Sequence, residues 1–182
     1  MNGTDYAVRV SMENSVKSGF TGLASLAAAT TMLFAALTSA YVVRRGLAGD
    51  WTPLELPLVI PASAVLLIFG SFALHKARTD AIATRPFARM WYGGLASGML
   101  FIVVQASAWF EMRQSVSPVG SPAAAFTYVL TGIFALLLCG TIVAGIWAGF
   151  AGARERMRMV AYYWHYLDAL WIYLLVLFLL RR

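Results

Sequence analysis

Charged side chains are scarce in this chain. They make up 12% of its 182 residues, about half the share of a typical soluble domain. So little charge cannot cover the surface of a water-soluble fold. Cysteine is almost absent as well. The single Cys139 rules out an internal disulfide and any thiolate cluster for a metal, including the cysteine pair of a binuclear copper site. Only two histidines are present, His75 and His165, and a metal needs more ligands than these. A haem held by both would require the two rings to converge on one gap. No internal repeat is visible, and no two apolar segments are interrupted at matching positions, as a transporter's midplane site would require.

What fills the chain instead is apolar: 60% of its residues are hydrophobic. Runs near 20 residues recur, long enough to cross a hydrocarbon core of about 30 Å as helices. The sequence predicts an all-α polytopic membrane protein, a five-helix transmembrane bundle with spans at 19–43, 54–75, 88–110, 124–149 and 160–180. Residues 1–18 read as a polar N-terminal tail of mixed charge (Asp5, Arg9, Glu13, Lys17), and 19–182 as one transmembrane domain. The first apolar run is too long for a signal-peptide core, so it is expected to remain as a helix. Short connections make sequential helices antiparallel neighbours. Pro57 and Pro61 fall in the first turns of the second span, where a missing N–H costs least. Pro118 and Pro122 break the chain before the fourth. Trp51, Trp91, Trp109 and Trp147 fall near predicted helix ends, as an aromatic belt would.

Orientation follows from lysine and arginine. With the N-terminus inside, the inner segments hold nine (Arg9, Lys17, Lys76, Arg78, Arg85, Arg89, Arg154, Arg156, Arg158) and the outer segments five (Arg44, Arg45, Arg113, Arg181, Arg182). That excess favours a cytoplasmic N-terminus and an external C-terminus. The net charge of +6 therefore reads as topology and lipid headgroup contact rather than nucleic-acid binding. Gly94-x-x-x-Gly98 and Gly145-x-x-x-Gly149 supply small residues at helix-packing spacing.

Polar groups inside the spans are few, and one pair stands out. Asp168 lies eight residues past the predicted start of the fifth helix, roughly 12 Å along it. An ionised carboxylate facing lipid there would cost at least about 2.5 kcal/mol. It must be neutral, face the bundle, or pair. His165 is three residues back, on the same helical face, and can pair with it. The couple reads either as a proton relay or headgroup site, or as a structural pair that orients the helix. Glu55, Glu111 and His75 sit at predicted helix ends, so no continuous proton wire is visible. Gln105 lies mid-helix in the third span, and its amide needs a partner across the bundle. Thr30 and Thr31 can bond their own backbone carbonyls and need no further role. Arg154, Arg156 and Arg158 before the fifth helix read as a topology anchor and as candidates for an anionic headgroup.

The segment Tyr162-Tyr163-Trp164-His165-Tyr166-Leu167-Asp168-Ala169-Leu170-Trp171 closely resembles the last helix of subunit III of haem–copper oxidases, whose pattern runs Y-W-H-[FY]-x-D-x-x-W. Met32 to Tyr41 resembles the end of that family's first retained helix. Gln105 with Trp109 resembles its Q-x-x-E-W segment, and Phe126, Leu130, Thr131 and Gly132 its F-x-x-L-T-G helix. Five helices match the short bacterial form. Four positions depart from the family: Thr30 and Ala108 stand where glutamates are usual, and Phe134 and Leu137 where histidines are. Any function carried by those ionisable groups is in doubt.

The resemblance implies a subunit without redox centres in the inner membrane of a bacterium. It would bind the flank of oxidase subunit I, which holds the haems and copper, and contact other oxidase subunits. It would carry structural phospholipid and support assembly, stability and proton uptake. No cofactor is expected in this chain. Trp164, His165, Asp168, Trp171 and Gln105 are the candidate buried polar or lipid-site residues. The electron donor, cytochrome c or quinol, is left open. Two other readings stand beside this one. One is the subunit III-like companion of a nitric oxide reductase. The other, of a different class, is a small proton-coupled transporter with Asp168 as its coupling carboxylate.

Overall fold

Apolar side chains recurring at every third and fourth position leave a helix one face to bury, and the chain buries five such faces on one another. A computed structural model of the protein describes residues 3–47, 49, 51, 57–80, 86–115, 121–152 and 154–179. Glu55, Arg85, Pro118, Arg181 and Arg182 lie outside the described residues, as do the side chains of Asp5, Arg9, Glu13 and Arg78. Among the described residues every regular element is a helix: α1 (Gly3–Leu47), α2 (Val59–Ala62), α3 (Ala64–Asp80), α4 (Pro86–Ser115), α5 (Pro122–Phe150) and α6 (Arg154–Leu179). Five stretches are long and apolar enough to cross a membrane: Lys17–Leu47, Val59–Ala77, Arg89–Gln114, Pro122–Phe150 and Arg154–Leu179. This is a multi-pass membrane protein.

The bounds differ from the sequence reading in instructive ways. α1 is 45 residues long and begins at Gly3, so the polar segment continues the helix and carries it to about 67 Å. The second span is broken at Ser63. Pro61 lacks an N–H, Ser63 Oγ donates to the Ile60 carbonyl at 2.6 Å, and Leu66 N–H reaches back only to Ser63 O at 3.0 Å. α5 starts two residues before the predicted span, with Pro122 in its first turn rather than ahead of it: Ser121 is its N-cap, accepting from Ala124 N–H at 3.5 Å. Gly152 takes φ 58° just past the end of α5, a left-handed conformation that glycine adopts freely. That turn is tight enough for α6 to begin at Arg154, six residues earlier than expected. Arg154, Arg156 and Arg158 are therefore part of the helix, not a segment before it.

Helices α3, α4, α5 and α6 form a closed four-helix ring, each packed on the next, and α1 lies outside against α5 and α6. Contacts fix the directions. Gly98 and Phe101 of α4 meet Trp164 and Trp171 of α6, so these two run parallel. Phe134 and Trp147 of α5 meet Trp171 and Arg156, so α5 runs antiparallel to α6. The interior is filled by Trp91, Trp164, Trp171, Phe101, Phe134, Leu67, Leu74, Leu95, Leu130 and Leu138, each at most 2% exposed.

The small residues do two jobs. Gly70 and Gly94 bring α3 and α4 together backbone to backbone: a Cβ on Gly94 would lie 3.1 Å from the Gly70 carbonyl oxygen. Gly145 and Gly149 instead receive side chains, Leu95 and Trp91. This corrects the belt assignment of Trp91. Its indole is fully buried and donates to the Gly145 carbonyl at 3.1 Å. Trp147, in contrast, is 59% exposed.

Gly98→Ala is predicted to lower stability by about 1–3 kcal/mol, because its Cβ would meet Trp164 Cη2 at 2.5 Å. Thermal unfolding in detergent measures this, with Gly132→Ala, whose Cβ would meet nothing within 4 Å, as the silent control.

Candidate functional site

α6 carries all but one of the buried candidates, on different sides of one helix. Trp164 points into the ring. Its indole N–H donates to the Leu67 carbonyl at 3.3 Å, and its six-membered ring lies over Gly70 and Gly98. Trp171, two turns on, packs edge-on against Phe101 at 4.9 Å between centroids and tilted against Phe134 at 4.7 Å. Its Nε1 finds no hydrogen-bond partner among the described residues. Gln105, 1% exposed, finds none among the described residues for either amide atom. The expected partner across the bundle is missing because the surrounding core is carbon; one turn along the same face of α4, position 108 is a fully buried alanine.

His165 and Asp168 face α3 rather than the ring interior. The hydroxyl of Ser71 is hydrogen-bonded to His165 Nδ1, and the Asp168 carboxyl lies within reach of the same hydroxyl. A hydroxyl donates one proton and accepts others. The order His165 Nδ1–H to Ser71 Oγ, then Ser71 O–H to Asp168, gives each of the three groups one bond. The second carboxyl oxygen, Oδ1, is buried and has no partner among the described residues. His75 joins from α3, its ring 5.9 Å from that of His165 and tilted by 57°. The two rings lean on each other across the α3–α6 seam. Among the described residues, no group of three or more His, Cys, Asp or Glu side chains is arranged to hold a metal. Because α6 starts at Arg154, Asp168 lies 14 residues in, about 21 Å along a helix of 26 residues. It is near mid-span.

On the opposite side α6 is fastened to α1. Thr30 and Tyr163 hydroxyls approach to 3.3 Å, Thr31 and Tyr166 to 2.9 Å, and Tyr173 donates to Thr38 at 2.9 Å. Thr31 and Thr38 also donate to the carbonyls of Ala27 and Phe34, both at 2.8 Å. The expectation that Thr30 and Thr31 need only their own backbone is thus incomplete. Back-bonding uses the proton and leaves oxygen lone pairs for the tyrosines.

Of the three headgroup candidates, Arg156 lines a cavity. Its guanidinium lies 4.1 Å over the Trp147 ring. Beside it, α1, α5 and α6 enclose an open groove of about 470 Å³, apolar apart from Arg156, Thr141 and Tyr163 and lined otherwise by residues such as Leu23, Leu26, Leu137 and Met159. Arg158 is occupied with Glu155 at 3.7 Å and with the Phe20 and Tyr162 rings. Arg154 begins the helix.

No family model matches the chain. Curated proteins do. A probable cytochrome c oxidase subunit 3 of Mycobacterium leprae is 30% identical, over 78% of this chain and 77% of its own length. This chain belongs to the cytochrome c oxidase subunit 3 family. A probable cytochrome c oxidase subunit 3 of Nocardia farcinica is 29% identical over the same shares. The cytochrome c oxidase subunit 3 of Synechocystis is 29% identical over 86% of this chain and 72% of the relative. For a subunit 3 chain the four departures are now placed. Ala108 and Phe134 are fully buried core, Leu137 lines the groove, and Thr30 pairs with Tyr163.

Ser71 escaped the sequence reading, although it stands one turn before His75 on the same face. Ser71→Ala is predicted to cost about 1–3 kcal/mol by orphaning His165 Nδ1 in a dry site. Asp168→Leu leaves the Ser71–His165 bond in place and is predicted to cost less. Thermal melting of the two variants side by side gives the order.

Proposed function

We propose that this chain is a non-catalytic accessory subunit of a bacterial respiratory haem–copper terminal oxidase. It supports assembly and stability of the catalytic subunit and its proton uptake on the cytoplasmic side, and it holds structural phospholipid. The reading rests on one observation above all. The Tyr-Trp-His-Tyr-x-Asp-x-x-Trp helix (Tyr163–Trp171) packs against α1, α3 and α5, in a chain similar along most of its length to cytochrome c oxidase subunit 3 proteins. Its chemistry fits a scaffold: the ionisable groups in the spans are few and paired through hydroxyls, and the packing surface is large. The nine-to-five distribution of lysine and arginine supports a cytoplasmic N-terminus in the inner membrane.

The groove beside Arg156 supports the lipid part of this role. An acyl chain suits its leucine walls, and a guanidinium at the same site suits a phosphate. Trp147, stacked on that guanidinium, holds it in place.

Affinity purification of the tagged chain from its own membranes, followed by a visible spectrum and metal analysis, tests the assignment. The expected result is haem and copper in the co-purified partner and neither colour nor oxygen consumption in the isolated chain. A partner holding non-haem iron in place of copper would assign the chain to a nitric oxide reductase. A proton-linked flux from the chain alone in liposomes, lost in Asp168→Asn, would make it a transporter. For lipid, Arg156→Gln and the groove-filling Gly140→Phe are each predicted to lower the phospholipid retained per complex, read by mass spectrometry of extracts, with Leu100→Phe on the far side as control.

A further inference from the structure

We propose that the interior of the helix ring binds an ordered water molecule between Gln105 of α4 and Trp171 of α6, at the level where the second span is broken. The site belongs to this chain's own fold and stands apart from the accessory-subunit reading. Gln105 and Trp171 are both buried, and three of their atoms share one property. Gln105 Oε1, Gln105 Nε2 and Trp171 Nε1 have no hydrogen-bond partner among the described residues. The other two indoles of the interior set the contrast. The Trp91 N–H donates to the Gly145 carbonyl and the Trp164 N–H to the Leu67 carbonyl.

Helix register brings these groups to one level. Phe101, one turn before Gln105 on the same face of α4, packs against Trp171 at 4.9 Å. α3 runs antiparallel to α4, with Leu74 on Gly94 and Gly70 beside Ser97. Gln105 is eight residues past Ser97, and Ala62 is eight before Gly70. Gln105 is therefore level with the break at Ser63, where α2 packs on α4. Trp171 is seven residues past Trp164, and Ile60 is seven before Leu67, which puts Trp171 at the same level. Ser63 is buried there. Its hydroxyl gives its proton to the Ile60 carbonyl and keeps lone pairs for a further donor. Broken spans are where ordered water completes hydrogen bonds that the helix has given up.

The chemistry selects water. An amide left unpaired in a carbon interior is costly. A donor and an acceptor on facing helices that do not reach each other are joined by a bridging water almost as well as directly. Such a water accepts from Trp171 Nε1–H and donates to Gln105 Oε1. Phe101, Phe134 and Ala108 on these helices are fully buried, so the occupant must be small as well as polar. A buried water typically makes about three hydrogen bonds to such groups.

An experimental density map of the full chain with its co-purifying partners, at a resolution that shows ordered water elsewhere in the same map, tests the proposal. The expected result is a non-protein peak about 2.7–3.2 Å from both Trp171 Nε1 and the Gln105 amide, and its loss in Trp171→Phe. A map without that peak overturns the proposal, as does a Gln105 amide bonded directly to Trp171 Nε1 or to another side chain. Thermal melting supplies a second readout whose sign decides. Gln105→Met keeps the length of the side chain and removes both amide atoms. If the amide holds water, the variant melts lower by about 3 °C. If the amide sits dry and unpaired, the variant melts higher or unchanged, and the water site is refuted.

Discussion

The bundle depends on one contact: the Trp164 indole lying in a slot floored by Gly70 and Gly98. A tryptophan at the crossing of three helices forces them apart unless two of them surrender their side chains. Gly70 with Gly94 lets α3 and α4 approach backbone to backbone, and the Trp164 ring occupies the space left over Gly70 and Gly98. The indole N–H is then held on the Leu67 carbonyl, so no polar atom of Trp164 is left over. The placement of α6 follows from this. Once Trp164 is seated, Trp171 falls between Phe101 and Phe134, and His165, the next residue after Trp164, is turned toward Ser71.

Composition and period carried most of the architecture into view. The number of spans, the helical class and the apolar faces follow from side chains that have only lipid and one another for company. Helix ends were harder to read. Arg154 to Arg158 looked like a polar lead-in because charge marks the end of an apolar run, yet long arginines and a glutamate are good helix formers and extend the helix into the headgroup zone. Trp91 was misplaced for a related reason. Proximity to a span end suggested an interface, but Gly145 and Gly149 on another helix left room for its ring inside.

The candidate site was half legible. The histidine and the aspartate could be read because an ionisable residue in an apolar run is conspicuous. Their connection through Ser71 could not, because serine is common in spans and says nothing about which helix it will face. The tyrosine–threonine bonds were recoverable in principle. Thr31 and Thr38 are seven residues apart, and so are Tyr166 and Tyr173, the signature of two parallel helices touching every second turn. The empty surroundings of Gln105 were beyond reach, since they depend on which carbon side chains close around it. Neutral groups at Thr30, Ala108, Phe134 and Leu137 show the same economy of charge. At Ala108 and Phe134 the interior is carbon, and Asp168 sits at the edge of the ring, not inside it.

The parallel pairing of α1 with α6 has a consequence for biogenesis. Thr31 and Tyr166 are 135 residues apart, as are Thr38 and Tyr173. The first span therefore waits in the bilayer, its threonines bonded only to their own turns, until four more spans have been inserted. Both pairs share one register, so sliding α1 by a single residue breaks them together and no partial engagement satisfies either. The outermost helix is thus clasped last, and only by a chain whose insertion has gone through in the correct order.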